Sequence, residues 1–247
     1  KTDAMIRVAA ANLYLPIEHV HYSRRNLLQN HQQHTAEQAD GIELTVSENN
    51  LSFRVRLLTH VDTGLFLDHS ITRSLVMQEA ERKRVLNLFS YTGSFSVYAA
   101  AGWAREVISV DLSRPYLNWA EENMRMNGYI GEQYRYENAD CLTFLRQEKE
   151  TGRSPGYDLI ILDPPTFSNS RKTDEVFRVQ RDYIRYLQAC RKILAPGGAV
   201  IFSTNMEGFG LERHKLNGYT VTDITRQTIP PGFSRKRPAH RCWILKS

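Results

Sequence analysis

From residue 85 onward, short apolar runs recur at intervals that leave room for a helix between them. VLNLF (85–89), EVISV (106–110), YRYEN (134–138), LIIL with its preceding acid (158–162), AVIFS (199–203), 219–228 and 241–246 read as strands, with helices in most gaps. Strand and helix in alternation imply a parallel sheet covered on both faces, because the right-handed crossover is nearly the only one that packs. The segment 229–240 is rich in Pro and Arg, and the last two strands leave no room for a helix between them. They are expected to form an antiparallel pair at the end of a seven-stranded α/β sheet.

Two helices are well punctuated. The first, 113–127, has Ser113 to cap it, Pro115 in its first turn and Asn127-Gly128 at its end. The second, about 174–194, has apolar residues at 176, 177, 183, 184, 187 and 194, and APGG (195–198) turns it into the next strand. The first 62 residues follow another rhythm. A short helix is predicted at 3–13, a strand at His19–Arg25 and a polar loop at 26–41. A hairpin follows, in which Ile42, Leu44 and Val46 alternate with polar residues, SENN turns the chain, and Leu51, Phe53, Val55 and Leu57 alternate again. The expected division is a small α/β subdomain at 1–62 and a larger domain at 63–247.

Composition adds bounds. With 247 residues, 41% hydrophobic and 24% charged, the chain can bury a full core. Its three cysteines lie far apart with no CxxC pair, so neither a disulfide framework nor a metal site is expected. No apolar run spans a bilayer and no signal-peptide pattern is read, which fits a cytoplasmic protein. Beginning at Lys1, the chain is compatible with a piece of something longer. A net charge of +5 permits a polyanionic partner without requiring one.

In an open parallel sheet, ligands lie outside the carboxyl ends of the strands. Three successive strands close there with acids: Asp111, Asp140 and Asp163. Asp111 stands 18 residues after Gly93, at the end of the second strand, where a carboxylate accepts from the ribose hydroxyls of an adenosine. The turn at 91–94, YTGS, has one glycine and no GxGxxG, so a pyrophosphate cradle is poorly supported. An adenosine ligand without phosphates, S-adenosylmethionine, suits it. The expected cofactor contacts are Phe89, Tyr91, Thr92, Gly93, Asp111, Leu112, Asp140, Cys141 and Asp163. In this reading Asp140 accepts from the adenine amino group and the Cys141 amide donates to a ring nitrogen. Plain helix capping is the alternative for each acid, and Cys141 and Cys242 are expected to be small buried hydrophobes.

NLFSYTGSFSVYAAAGWAREVISVDLS together with LDPPTFSNS resembles the class I S-adenosylmethionine-dependent methyltransferases of bacterial 23S ribosomal RNA, especially a fused enzyme's C-terminal half that acts on guanine N7. The likeness runs from DTGLFLDH (62–69) to RCWIL (241–245). It implies a Rossmann-like catalytic domain after a small subdomain, with a second RNA-binding and methylating module as a partner outside this chain. Ser70 stands where relatives carry an arginine after LDH, the nearest here being Arg73, and Glu207 falls where they tend to be basic.

Asp163, Pro164, Pro165 and Phe167 are the expected catalytic residues. Two prolines fix φ and remove donors, leaving an acceptor-only wall suited to the donating edge of guanine, with Phe167 stacking on the extruded base. Guanine N7 carries a lone pair and no proton, so alignment suffices and no His–acid pair is expected. The guanine exocyclic amine remains an alternative target. Carbon-5 methylation of cytosine needs a cysteine nucleophile, and neither SNSRK nor FSTN holds one. A noncatalytic RNA-binding module is the rival from another class. Arg171, Lys172, Arg235, Lys236 and Arg237, with Arg241 and the interleaved Phe233, His240 and Trp243, are expected to form the RNA-binding surface.

Overall fold

The computed structural model describes residues 2–21, 41–57, 62–152, 156–168, 176–234 and 236–247. Helix α1 (Thr2–Leu13) opens the chain. His19 does not begin a strand. It closes a single 3-10 turn, Ile17–His19, in which the amides of His19 and Val20 donate to Pro16 and Ile17 and are lost to any ladder. The rest of that expected strand, 22–25, and loop positions 26–40 lie outside the described residues. The hairpin is present as β1 (Ile42–Glu48) and β2 (Leu51–Leu57). Asn49 and Asn50, with φ of 51° and 61°, turn it in the left-handed geometry that matches strand twist. Leu51, Phe53 and Val55 are buried in alternation on β2, whereas Leu44 of β1 is exposed.

The chain divides into two compact units, one of Lys1–Val46 with Arg54–Leu65, the other of Ser47–Phe53 with Phe66–Ser247. The larger unit contains α2 (Ser70–Glu79), β3 (Arg84–Leu88), α3 (Ser94–Ala101), β4 (Glu106–Asp111), α4 (Arg114–Met126), β5 (Tyr134–Asn138) and α5 (Cys141–Glu150). It continues with β6 (Tyr157–Leu162), the short pair β7 (Phe167–Ser168) and β8 (Phe177–Arg178), α6 (Val179–Arg191), β9 (Leu194–Thr204), β10 (Thr220–Asp223), the one-turn α7 (Thr225–Thr228) and β11 (Arg241–Lys246).

Seven strands form one sheet in the order β10-β11-β9-β6-β3-β4-β5. The five from β9 to β5 are parallel, and β11 runs antiparallel between β9 and β10. All five residues of β3 and the last four of β6 are buried, which is why these strands read as unbroken apolar runs. Successive residues feed opposite faces. Leu86, Leu88, Ile160 and Leu162 join one core with residues of α5 and α6, while Val85, Leu159 and Ile161 join the other with Val76, Phe95 and Ala99 of α2 and α3.

Several boundaries differ from expectation, each because a local interaction wins. Helix α6 starts at Val179 and not near 174, since Phe177 and Arg178 pair with Phe167 and Ser168, and the Asp182 carboxylate accepts from the Arg178 amide. Strand β9 begins at Leu194 and runs through APGG, with the register against β6 slipping between Tyr157 and Leu159. Strand β10 stops at Asp223, whose carboxylate takes the Thr225 amide and starts α7. A helical turn therefore does fit between the last two strands. Ser113 makes no side-chain cap on α4; Asp111 takes its amide instead.

Candidate active site at the carboxyl rim of the sheet

Strand order reverses between β3, followed outward by β4 and β5, and the parallel β6, followed by β9 on the other side. Loops after β3 and β6 diverge there, which opens a crevice in doubly wound folds. In the first loop, Phe89 (φ 54°), Tyr91 (φ 49°) and Gly93 (φ 72°) are all left-handed. Only glycine adopts that region freely; the other two hold strain of order ~1 kcal/mol or more each. Surrounding hydrogen bonds retain it. Phe89 N donates to Cys141 Sγ (3.3 Å) and Tyr91 N to Asp111 Oδ2 (2.9 Å), while Asn123 Nδ2 holds Thr92 O (2.8 Å). The Phe89 ring packs against Phe177 and Tyr186, and Tyr91 against Phe66 and Tyr116. Ser90 Oγ is buried with no partner among the described residues.

Asp111 ends β4 half-buried, its second oxygen accepting from Ser113 N (2.8 Å). Burial pushes its carboxyl up, against the downward pull of the amides of Ser113, Tyr91 and Leu112. Each oxygen keeps a lone pair beyond these bonds. Leu112 O accepts from Asn138 Nδ2. Asp140 caps α5, taking the amide and hydroxyl of Thr143 both through Oδ1. Cys141 is buried, and burial drives its thiol well above the ordinary range.

At the end of β6, Asp163 Oδ1 accepts from the Ser203 hydroxyl (2.6 Å). Its Oδ2 lies 3.7 Å from His69 Nε2. That imidazole is 4% exposed and stacks on His240, with ring centroids 4.1 Å apart and planes 15° from parallel. Asp68 Oδ2 is 3.1 Å from His240 Nδ1 and 3.8 Å from His69 Nε2. The expectation of no His–acid pair is thus corrected. Local spacing could not reveal the grouping, since Asp68 and His240 are 172 positions apart; the only signal was the LDH run itself.

Pro164 is buried, Pro165 exposed and Phe167 68% exposed, so the ring is not core filling. Lys236 and Arg237 are exposed; Arg171, Lys172 and Arg235 lie outside the described residues. His240 and Trp243 are no part of a surface, being 1% and 2% exposed. Arg241 donates to Phe209 O. Arg73 is likewise structural: its guanidinium makes two 2.8 Å bonds to the Glu48 carboxylate and one to Phe66 O.

The sequence profile of the S-adenosylmethionine-dependent methyltransferase family matches residues 22–243, and the chain belongs to that family. It is 43% identical over 206 residues to the ribosomal RNA large subunit methyltransferase K/L of Shewanella amazonensis, covering 83% of this chain and 28% of that relative. The chain therefore spans under a third of that curated relative. Among solved structures it resembles SMU.776, described as a methyltransferase and crystallised with SAH (S-adenosylhomocysteine), with a TM-score of 0.73 and 27% identity over 85% of this chain and 57% of the other. An S-adenosylmethionine-dependent methyltransferase from Agrobacterium tumefaciens shares the fold, with a TM-score of 0.68 and 23% identity over 85% of this chain and 71% of the other. The rim suits the family's cofactor. Asp111 keeps acceptor capacity for hydroxyl donors, and Ser90 Oγ is a buried polar atom lacking a partner among the described residues. No helix among the described residues is long and apolar enough to cross a membrane.

Proposed function

We propose that this chain methylates a base of 23S ribosomal RNA, with guanine N7 as the target. The observation that carries the reading is the rim after β6, where a half-buried carboxylate, two prolines and a 68% exposed phenylalanine stand together at the strand switch. The ribosomal RNA named for the 43% identical relative supports the substrate class. Such a substrate fits work in the cytoplasm, and residues before 63 are read as the small subdomain preceding the catalytic one.

Bound S-adenosylmethionine supplies an electrophilic methyl group. Asp111 receives the ribose hydroxyls through the lone pairs its backbone bonds leave over. Asp140 accepts from the adenine amino group through Oδ2, its Oδ1 being engaged in capping. Phe89, Tyr91, Thr92, Gly93, Leu112 and Cys141 line the cofactor with backbone and ring. Asp163 accepts from the guanine edge, Pro164 and Pro165 hold the wall rigid, and Phe167 stacks on the extruded base. Lys236 and Arg237, with Arg171, Lys172 and Arg235 of the sequence reading, take RNA phosphates. N7 has no proton to lose, so holding the base in line is the protein's whole task.

Carbon-5 methylation is disfavoured because all three cysteines are buried and burial raises each thiol. The guanine exocyclic amine is a second reading, favoured by one observation: the Ser203 hydroxyl engages only Oδ1 of Asp163, and Oδ2 would accept from that amine as readily as from the ring edge. Mass spectrometry of nuclease-digested 23S transcript, after incubation with the enzyme and labelled cofactor, decides. Labelled 7-methylguanine is expected; 2-methylguanine would move the assignment to the second reading, and 5-methylcytosine would refute both.

A further inference from the structure

Two acids and two imidazoles meet behind the Asp163 rim. A metal centre is the first thought, because donor atoms of Asp68, His69 and His240 lie within 4.8 Å of one another. Ring geometry speaks against it. Imidazole lone pairs lie in the ring plane, and planes only 15° from parallel with centroids 4.1 Å apart cannot both aim at one ion. His240 is also engaged at both nitrogens, by Asp68 on one side and the Thr228 hydroxyl (3.1 Å) on the other. The anchored ring is thus a fixed platform, and His69 lies on it with Phe95 against its edge.

His69 itself is differently placed. Nδ1 is buried with no partner among the described residues, whereas Nε2 faces two carboxylates, Asp163 at 3.7 Å and Asp68 at 3.8 Å. A buried N–H without an acceptor is costlier than a bare lone pair, so the proton of the neutral ring belongs on Nε2, between the acids. At 3.7 Å that N–H is not yet a hydrogen bond, and the gap is too short for a bridging water. A side-chain shift of less than about 1 Å closes it to ordinary hydrogen-bond length. Since Ser203 already holds Oδ1, the remaining oxygen of Asp163 is steered from the His69 side.

We propose that neutral His69, seated on the Asp68-anchored His240 ring, is a positioning residue that orients the Asp163 carboxylate toward the substrate base. This rests on the reading that Asp163 holds the base. His69 touches neither cofactor nor base and acts through Asp163. Protonation would turn the neutral donor into a cation that competes with the base for the same oxygen. The groups facing His69 are Asp163, His240, Asp68 and Arg73, and Cys242 adjoins Asp163. Burial, the largest influence, together with His240 and Arg73, holds the imidazole below its ordinary value of 6.5 despite the pull of Asp163 and Asp68. Orientation should therefore fail only on the acid side of that value.

The test measures kcat, KM and their pH profiles with protein-free 23S transcript and tritiated S-adenosylmethionine, alongside calorimetry with S-adenosylhomocysteine. His69→Leu should lower kcat at least about tenfold, equivalent to ~1.4 kcal/mol, with S-adenosylhomocysteine affinity within about twofold of wild type. His69→Gln places an uncharged N–H donor near the Nε2 position and should recover most of that loss while flattening the acid limb of the profile. If the Leu variant melts early, the Gln profile decides alone. A Gln variant as poor as Leu, or one keeping the wild-type acid limb, overturns the proposal. Asp163→Asn separates the two levels: impaired Asp163→Asn with normal His69→Leu refutes the role of His69 alone, and wild-type turnover in Asp163→Asn refutes the base-pocket reading beneath it.

Discussion

The hydroxyl of Ser203 and the carboxylate of Asp163 are 2.6 Å apart, tying the end of β9 to the acid that closes β6. Ser203 is fully buried, so this bond fixes one oxygen of Asp163 in rotation and leaves the other to act. Ser203→Ala should free that rotation. A lost hydrogen bond to a charged group is worth about 1.5–3 kcal/mol, and kcat on 23S transcript is expected to fall at least about fivefold with KM for the cofactor unchanged. Full activity in a folded variant would show the bond to be structural only.

Asp111→Ala removes the acceptor for two backbone amides and, in the proposed complex, for the ribose hydroxyls. Calorimetry with S-adenosylhomocysteine should show at least about a tenfold weaker Kd, roughly 1.4 kcal/mol. Affinity within twofold of wild type, in a protein that still melts cooperatively, would reduce Asp111 to an anchor for the Tyr91 loop.

Gly93 carries two demands at once. A Cβ there would meet the Ala120 Cβ at 2.6 Å, and its φ of 72° is strained for any other residue. Gly93→Ala should lower stability by about 2 kcal/mol or more in urea melts, from the strained backbone and the overpacked contact together. Adding Ala120→Gly should return only the contact's share. No change in the midpoint for Gly93→Ala would mean that α3 and α4 can part there without penalty.

His69 sets a stability trend with pH. Its folded-state pKa lies below 6.5, so between those two values the unfolded chain binds more protons. Stability should decline as pH falls from about 6.5 and level off below the folded pKa. Asp68 works lower down: burial raises its pKa, but the His240 hydrogen bond and the nearby imidazoles outweigh burial, so its contribution is lost only on passing below 3.8. Melting temperatures of wild type and His69→Gln between pH 8 and pH 5 check this. Parallel curves would assign the acid-side decline to other groups.

Phe167→Ala should leave the midpoint of unfolding within about 0.5 kcal/mol, as for an exposed substitution, because the ring is 68% exposed. Methylation of 23S transcript should fall by an amount matching ~1–3 kcal/mol of lost base stacking. Unchanged turnover would take the ring out of the base pocket.

Which parts were legible in the sequence follows from how local their causes are. Buried parallel strands such as Leu159–Leu162 announce themselves as apolar runs, and Asp111 and Asp163 follow such runs directly, whereas Asp140 comes two residues after the polar strand YRYEN. Boundaries were less legible wherever one carboxylate reassigned an amide, as Asp182 does for Arg178 and Asp223 for Thr225. The imidazole pair was illegible because its members meet only through the fold, His240 standing immediately before β11 and His69 before α2. His240 and Trp243 stand among arginines and prolines in sequence, which reads as a surface; burial comes from the antiparallel insertion of β11 between β9 and β10.

Three thiols, at Cys141, Cys190 and Cys242, are buried, one at the start of α5, one on α6 and one on β11. Burial makes each of them a built-in clock. A maleimide reaches such a sulfur only when the surrounding segment opens, so labelling rates, resolved by peptide, report the opening of three separate regions without any engineered probe. Ligand that braces the Phe89–Gly93 loop should slow the clock at Cys141, whose sulfur receives the Phe89 amide, while the one at Cys190 runs on nearly unchanged.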